Sequence, residues 1–160
     1  MIGYLLPQRN RHGRGSAWLI AAITLMLTGA SFNEAVSANV ASDQLSATFT
    51  ICGERRRINC VVDGDTFWFQ RQKIRMADID APELSPPRCE DERQRGEAAK
   101  QRLLVLLNAG PFSLSIAADD ADRYGRKLRI VIRNGRSLGS VLVEERLARR
   151  WDGSRRPWCW

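Results

Sequence analysis

The sequence predicts an α+β domain, mainly β, in which a small barrel or curled sheet is covered by packed helices. Three observations point there: the strand-like stretches come first and are short, the helical stretches appear later, and no regular β-α alternation runs through the chain. Residues 48–52, 58–62 and 66–69 are rich in β-branched and aromatic side chains and read as strands. A fourth strand is expected over 74–79, where Ile74, Met76, Ala77 and Ile79 alternate imperfectly, as in a strand buried on more than one side. The prolines and dense charge of "SPPRCEDERQRGE" read as a loop entering a helix. From about Gly96 to Leu107 the residues Ala99, Leu103, Val105, Leu106 and Leu107 share a broad helical face, with Gly110 as the expected C-cap. Residues 112–117 and 128–133 read as two further strands, and "NGRS" turns into a second helix over about 137–147.

The chain has 160 residues and 44% hydrophobic content, which suits one compact core with a short appendage. Arg9, Arg11 and Arg14 precede an unbroken apolar run of 14 residues, 17–30, and then small residues ending "AVSA". That order describes a signal peptide over 1–38 with cleavage after Ala38, since a membrane-spanning helix needs about 20 apolar residues. A membrane association is expected only if that segment stays uncleaved. Residues 39–47 are small and polar and read as a flexible lead-in, leaving 48–160 as the folded domain. The product is expected to be secreted or periplasmic.

Loss of 1–38 removes three Arg and one Glu, so the formal net charge falls from +7 to +5, still basic and suited to a polyanionic partner. The chain's single histidine, His12, leaves with that segment. Imidazole-based chemistry is then not expected of the mature domain, whether a Ser/His triad or histidine-ligated zinc.

Four cysteines (Cys52, Cys60, Cys89, Cys159) remain, and an even count in an exported domain reads as two disulfides. Three connectivities are open. The favoured one joins Cys52 to Cys60 across the basic turn "GERRRIN" and Cys89 to Cys159; the long, irregular spacings argue against zinc.

The stretch "VVDGDTFWFQRQKIRMADIDAPE" carries the chemistry. If its strands pair about a turn at Gln72 and Lys73, Asp65 faces Asp80, and like charges directly opposed destabilise a strand pair. Such a pair persists when a cation sits between, and for carboxylates and backbone carbonyls that is a hard ion such as calcium. Glu83, three residues beyond Asp80, is then a candidate base for a nearby water. "DGD" also suits a plain turn. Neither Asp63 nor Asp120 begins an EF-hand, because the twelfth positions are Ile74 and Val131. Arg75, on the same hairpin, and Arg126, after a Tyr-Gly pair, describe a phosphate clamp of two guanidiniums.

The strings "VVDGDTFWF", "IRMADIDAPE", "GEAAKQRLLVLL", "DRYGRKLRIVI" and "NGRSLGSVLVEERLARRW" resemble, in order, those of the staphylococcal nuclease (thermonuclease-like) family. The resemblance implies a five-stranded OB-type barrel with two or more packed helices. It implies a calcium-dependent phosphodiesterase acting on DNA and RNA, single strands preferred, that leaves 3'-phosphate ends. Asp65, Asp80 and the Ala81 carbonyl would hold calcium, Arg75 and Arg126 would grip the phosphate, and Glu83 would activate water. Asp63 and Thr66 would support the ligands, and Tyr124 would contact phosphate or base. No stable protein partner is implied.

This chain departs from the family in having Ala81 where the best-known member has Thr, Arg146 in place of a usual glycine, and "DGSRRPWCW" in place of a longer helical tail. The tail's Trp151, Trp158 and Trp160 read either as a base-stacking surface or as a cover on the barrel end pinned by Cys159. A non-catalytic nucleic-acid-binding OB module is the alternative function, but a degenerate module would lack one of Asp65, Arg75, Asp80, Glu83 or Arg126, and all five are present. A disulfide-stapled envelope protein has only export and the cysteines in its favour.

Overall fold

The computed structural model describes residues 43–54 and 56–159. The expected signal peptide, its cleavage point after Ala38, and Trp160 lie outside the described residues. Strands β1 (Thr50–Ile51), β2 (Cys60–Asp63), β3 (Thr66–Phe69), β4 (Gln72–Met76) and β5 (Ile79–Asp80) precede helix α1 (Glu90–Asn108). There follow β6 (Ser113–Ala121), β7 (Lys127–Arg133), β8 (Arg136–Ser137), helix α2 (Leu138–Glu144) and β9 (Arg149–Arg150).

The main sheet is mixed, in the order β1-β2-β3-β4-β7-β6 with β8 also on β7, while β5 and β9 form a second, two-stranded sheet. Its five strands of four residues or more, β2, β3, β4, β6 and β7, with the two helices make the OB-type, mainly β α+β fold expected. Period-2 burial explains the central strands: Phe67 and Phe69 of β3 and Ile74 and Met76 of β4 all point into the core. Four phenylalanines cluster there, with Phe69 and Phe112 edge to face at 5.5 Å and Phe49 and Phe67 at 5.9 Å. Leu103 and Leu107 of α1 and Leu142 of α2 close over the same core.

The structure differs from the expectations at several points. The β3–β4 turn lies at Gln70 and Arg71, not at Gln72 and Lys73, and the register pairs Phe69 with Gln72 and Thr66 with Arg75. Both turn residues have positive φ, 50° and 67°, as a two-residue hairpin loop of this hand requires. Such loops ordinarily use Asn-Gly, so nothing in "QR" announced one; Asn59 Oδ1 and Ile58 O instead fix it by accepting the Gln70 and Arg71 amides. The expected strand over 74–79 breaks at Ala77 and Asp78, and Asp80 pairs with Arg149 in β5–β9 rather than with β3.

Helix α1 begins at Glu90, not near Gly96, because the charge run forms its first turns. Cys89 is the N-cap, and Glu90–Arg93, Asp91–Arg95 and Glu97–Lys100 pair at helical spacing. The described part of the lead-in, 43–47, is docked: Leu45 bridges Phe112, while Asp43 accepts from Ser113 Oγ and the Asn134 amide. Finally, α2 ends at Glu144, and Arg146 takes φ 61° in the left-handed region where glycine is easier. Both disulfides have the favoured pairing, Cys52–Cys60 and Cys89–Cys159.

Candidate active site

The "DGD" turn between β2 and β3 packs so tightly that a Cβ on Gly64 would lie 2.6 Å from Ala99 Cβ and 2.8 Å from Ala81 Cβ. Only glycine fits, and the close approach brings α1, the turn and the segment after β5 together. Asp65 is thereby buried beside Asp80. Arg75 Nη1 donates to Asp65 Oδ2 at 2.6 Å and its Nη2 lies 3.6 Å from Asp80 Oδ1. Thr66 Oγ1 donates to Asp65 Oδ1 at 2.8 Å, the Ala81 amide donates to Asp65 Oδ2 at 3.2 Å, and Asp63 Oδ1 accepts from the Asp65 amide at 3.3 Å. Burial first, then the neighbouring Asp65 charge, raises the Asp80 pKa against the pull of Arg75 and Arg155. Burial and the charges of Asp65 and Glu83 likewise push Asp63 well above the carboxylate range.

In front of this acidic floor lies a cleft of about 920 Å³ lined by Lys73, Arg75, Glu83, Tyr124, Arg126, Trp151 and Arg155 among others. The parallel pairing of Ile74 with Lys127 sets Arg126, one residue before β7, level with Lys73 near the start of β4, two residues from Arg75. Asp122 orients it, accepting from the Arg126 amide at 3.0 Å and from Nε at 2.6 Å, so that both Nη groups remain for another acceptor. Although burial raises the Asp122 pKa, those Arg126 hydrogen bonds bring it below its ordinary value. Tyr124 is 68% exposed, with Arg123 and Arg126 over its ring at 4.8 and 5.6 Å.

The structure thus gathers Arg75, Glu83, Tyr124 and Arg126 at one cleft and sets Asp65, Asp80, Ala81 and Thr66 behind it, with Asp63 alongside. It adds residues that sequence reasoning missed. Glu92 of α1 is fully buried and accepts the Arg88 amide at 2.6 Å and the Glu83 amide at 3.4 Å, holding the loop that presents Glu83. Its place inside a charge run hid it. Lys73, Asp122 and Arg155 also belong to the cleft, and of the tail tryptophans Trp158 is buried while Trp151 lines the cleft with Arg75 6.0 Å from its ring.

Among the described residues no three Asp, Glu, Cys or His side chains converge as a self-sufficient metal cage. The donors that do meet are the Asp65 and Asp80 carboxylates beside the Ala81 backbone. This all-oxygen set fits a hard cation that draws further ligands from water and substrate, and the crowded, buried carboxylates would be relieved by one.

The OB-type sheet thus presents a cleft lined by Lys73, Arg75, Arg123, Arg126 and Arg155, with paired buried carboxylates beside Arg75. Residues 73–157, slightly more than half of the chain, match the staphylococcal nuclease homologue family, and the chain belongs to that family. The matched span takes in Arg75, Asp80, Ala81, Glu83, Tyr124 and Arg126, whereas Asp63, Asp65 and Thr66 precede it. Among curated proteins, it is 34% identical over 94 residues to the endonuclease YncB of Bacillus subtilis (strain 168), covering 55% of this chain and 44% of that protein. It is 36% identical over 94 residues to the SPbeta prophage-derived endonuclease YokF of the same organism, covering 55% of this chain and 31% of that protein. The chain therefore spans less than half the length of the curated relatives it matches.

Proposed function

We propose that this protein is an exported, calcium-dependent endonuclease that hydrolyses phosphodiester bonds of DNA and RNA, single strands preferentially, and leaves 3'-phosphate ends. The observation that carries this reading is the convergence of Arg75, Glu83 and Arg126 on one cleft backed by the buried Asp65–Asp80 pair. Family membership and two relatives named as endonucleases support it. Two disulfides, with no free cysteine among the described residues, support an oxidising destination, either the periplasm or the exterior.

Asp65, Asp80 and the Ala81 carbonyl would hold the calcium ion, which when bound supplies positive charge beside the phosphate and acidifies a water. Glu83 accepts a proton from the attacking water, whose oxygen bonds to phosphorus as the bond to the 5'-oxygen breaks; that oxygen leaves with a proton from solvent. Arg126, fixed through Nε by Asp122, offers both Nη groups to the phosphate oxygens, and Arg75 offers a second guanidinium from the cleft floor. Tyr124, exposed at the mouth, is placed to contact a phosphate or base.

The test is degradation of single-stranded DNA and RNA by the full chain with calcium and then with chelator, followed by end analysis of the products. Activity that survives chelation, or 5'-phosphate products, would overturn the corresponding part of the reading.

A further inference from the structure

The C-terminal segment is anchored at three points around the cleft. Arg149 pairs with Asp80 across β9 and β5, Trp158 is buried with the Arg149 guanidinium 3.7 Å from its ring, and Cys159 is bonded to Cys89 at the N-cap of α1. Arg149 Nη1 also donates to the Pro157 carbonyl at 3.0 Å. Between these anchors the chain runs along the cleft, and Trp151 and Arg155 line it.

Three of the arginines that line the cleft with Glu83 differ in how firmly they are held. Arg75 is buried between two carboxylates, and Arg126 is clamped by Asp122. Arg155 is about half exposed; among the described residues its one ion pair is Nη1 to Glu83 Oε2 at 3.4 Å, and its charge also acts on Asp80. An exposed pair of that length is weak, whereas a phosphate offers a guanidinium two parallel, charge-assisted bonds.

We propose that Arg155 is a substrate-binding residue that exchanges partners. In the free protein it rests on Glu83; when a polynucleotide enters, it moves to a phosphate adjoining the scissile one and leaves the Glu83 carboxylate free to take a proton from water. The exchange ties unmasking of the base to occupancy of the cleft. It rests on the nuclease reading above, and the disulfide-tied tail is then a working wall of the site.

The test is binding of a fluorescein-labelled oligothymidylate to the full chain with chelator present, so that no turnover intrudes, read by anisotropy over a salt series. Each phosphate contact on a single strand contributes about 0.7 to the slope of log affinity against log salt. Arg155→Gln is expected to lower the slope by about that amount and weaken binding roughly tenfold at low salt. Arg155→Lys should keep the slope, as should Arg156→Gln, whose guanidinium rests on Asp152 outside the cleft. A parental slope in Arg155→Gln overturns the proposal, even if turnover falls, because Arg155 would then serve only to prop Glu83. Failure of the parent to bind the oligonucleotide in chelator overturns this proposal, and failure to bind in calcium as well overturns the nuclease reading.

Discussion

One buried guanidinium serves two carboxylates: Arg75 Nη1 lies 2.6 Å from Asp65 Oδ2 and its Nη2 lies 3.6 Å from Asp80 Oδ1. Removing one member of a buried ion pair leaves uncompensated charge and costs about 3 kcal/mol or more. Arg75→Gln should therefore melt roughly 10 °C lower than the parent in chelator, at about 4 °C per kcal/mol. Calcium should restore much of that loss, because the same two carboxylates then answer to one cation. Thermal melts with and without calcium check this, and an equal calcium shift in parent and variant would contradict a shared site.

Glu92 acts on Glu83 through the backbone. Its carboxylate accepts two amides of the 83–88 loop, and truncation strands both in a buried place. Glu92→Ala should lose about 2 kcal/mol or more in urea unfolding and roughly tenfold in turnover, since a displaced base misses its water. Glu92→Gln, which keeps one acceptor oxygen, should fall between. A Glu92→Ala protein with parental turnover would separate α1 from the chemistry.

The two disulfides should differ in worth. Cys89–Cys159 joins residues 70 apart and Cys52–Cys60 residues 8 apart. In the chain-entropy account the first contributes about 4 kcal/mol and the second about 2.5. Paired Cys→Ser variants compared by denaturant unfolding test the order, and only loss of the longer bridge should also depress turnover, by freeing Arg155 and Trp151. Mass mapping without reductant that found four free thiols would contradict both bridges.

Arg146, two residues past the end of α2, has φ 61° and an exposed side chain, so glycine would relieve a left-handed conformation at the expense of chain entropy. Arg146→Gly is expected to stabilise by about 0.5 kcal/mol, readable in a melt, with no change in turnover. A lower melting temperature would show that the Arg146 side chain contributes more than its backbone loses.

β-branched and aromatic content was enough to place β2, β3 and β7 within a residue or two, because such side chains favour extended backbone whichever face they bury. Asp65, Arg75, Asp80, Glu83 and Arg126 were legible as candidates because their carboxylates and guanidiniums are concentrated in two short stretches, and the structure brings Arg75, Glu83 and Arg126 to one cleft. The route by which Asp80 reaches Asp65 was not legible. It depends on β9 pairing with β5 and on a Gln-Arg turn held by Asn59, and both are tertiary contacts. The start of α1 was obscured because its charges satisfy one another along the helix, where a sequence reader sees only polarity. Arg155 and Trp151 reach the cleft through a tail tied back by a disulfide across 70 residues; the cysteines announced that return, but not which tail side chains it would bring to the cleft.

The central claim is that Glu83 takes the proton of the attacking water while Arg126 steadies the phosphate. Single-stranded DNA cleavage by the parent, Glu83→Gln and Arg126→Ala, measured side by side in calcium, tests it most directly. Loss of a general base or of an electrostatic stabiliser predicts at least about a hundredfold fall in each variant, with folding and oligonucleotide binding retained by Glu83→Gln. Variants as fast as the parent would contradict the account.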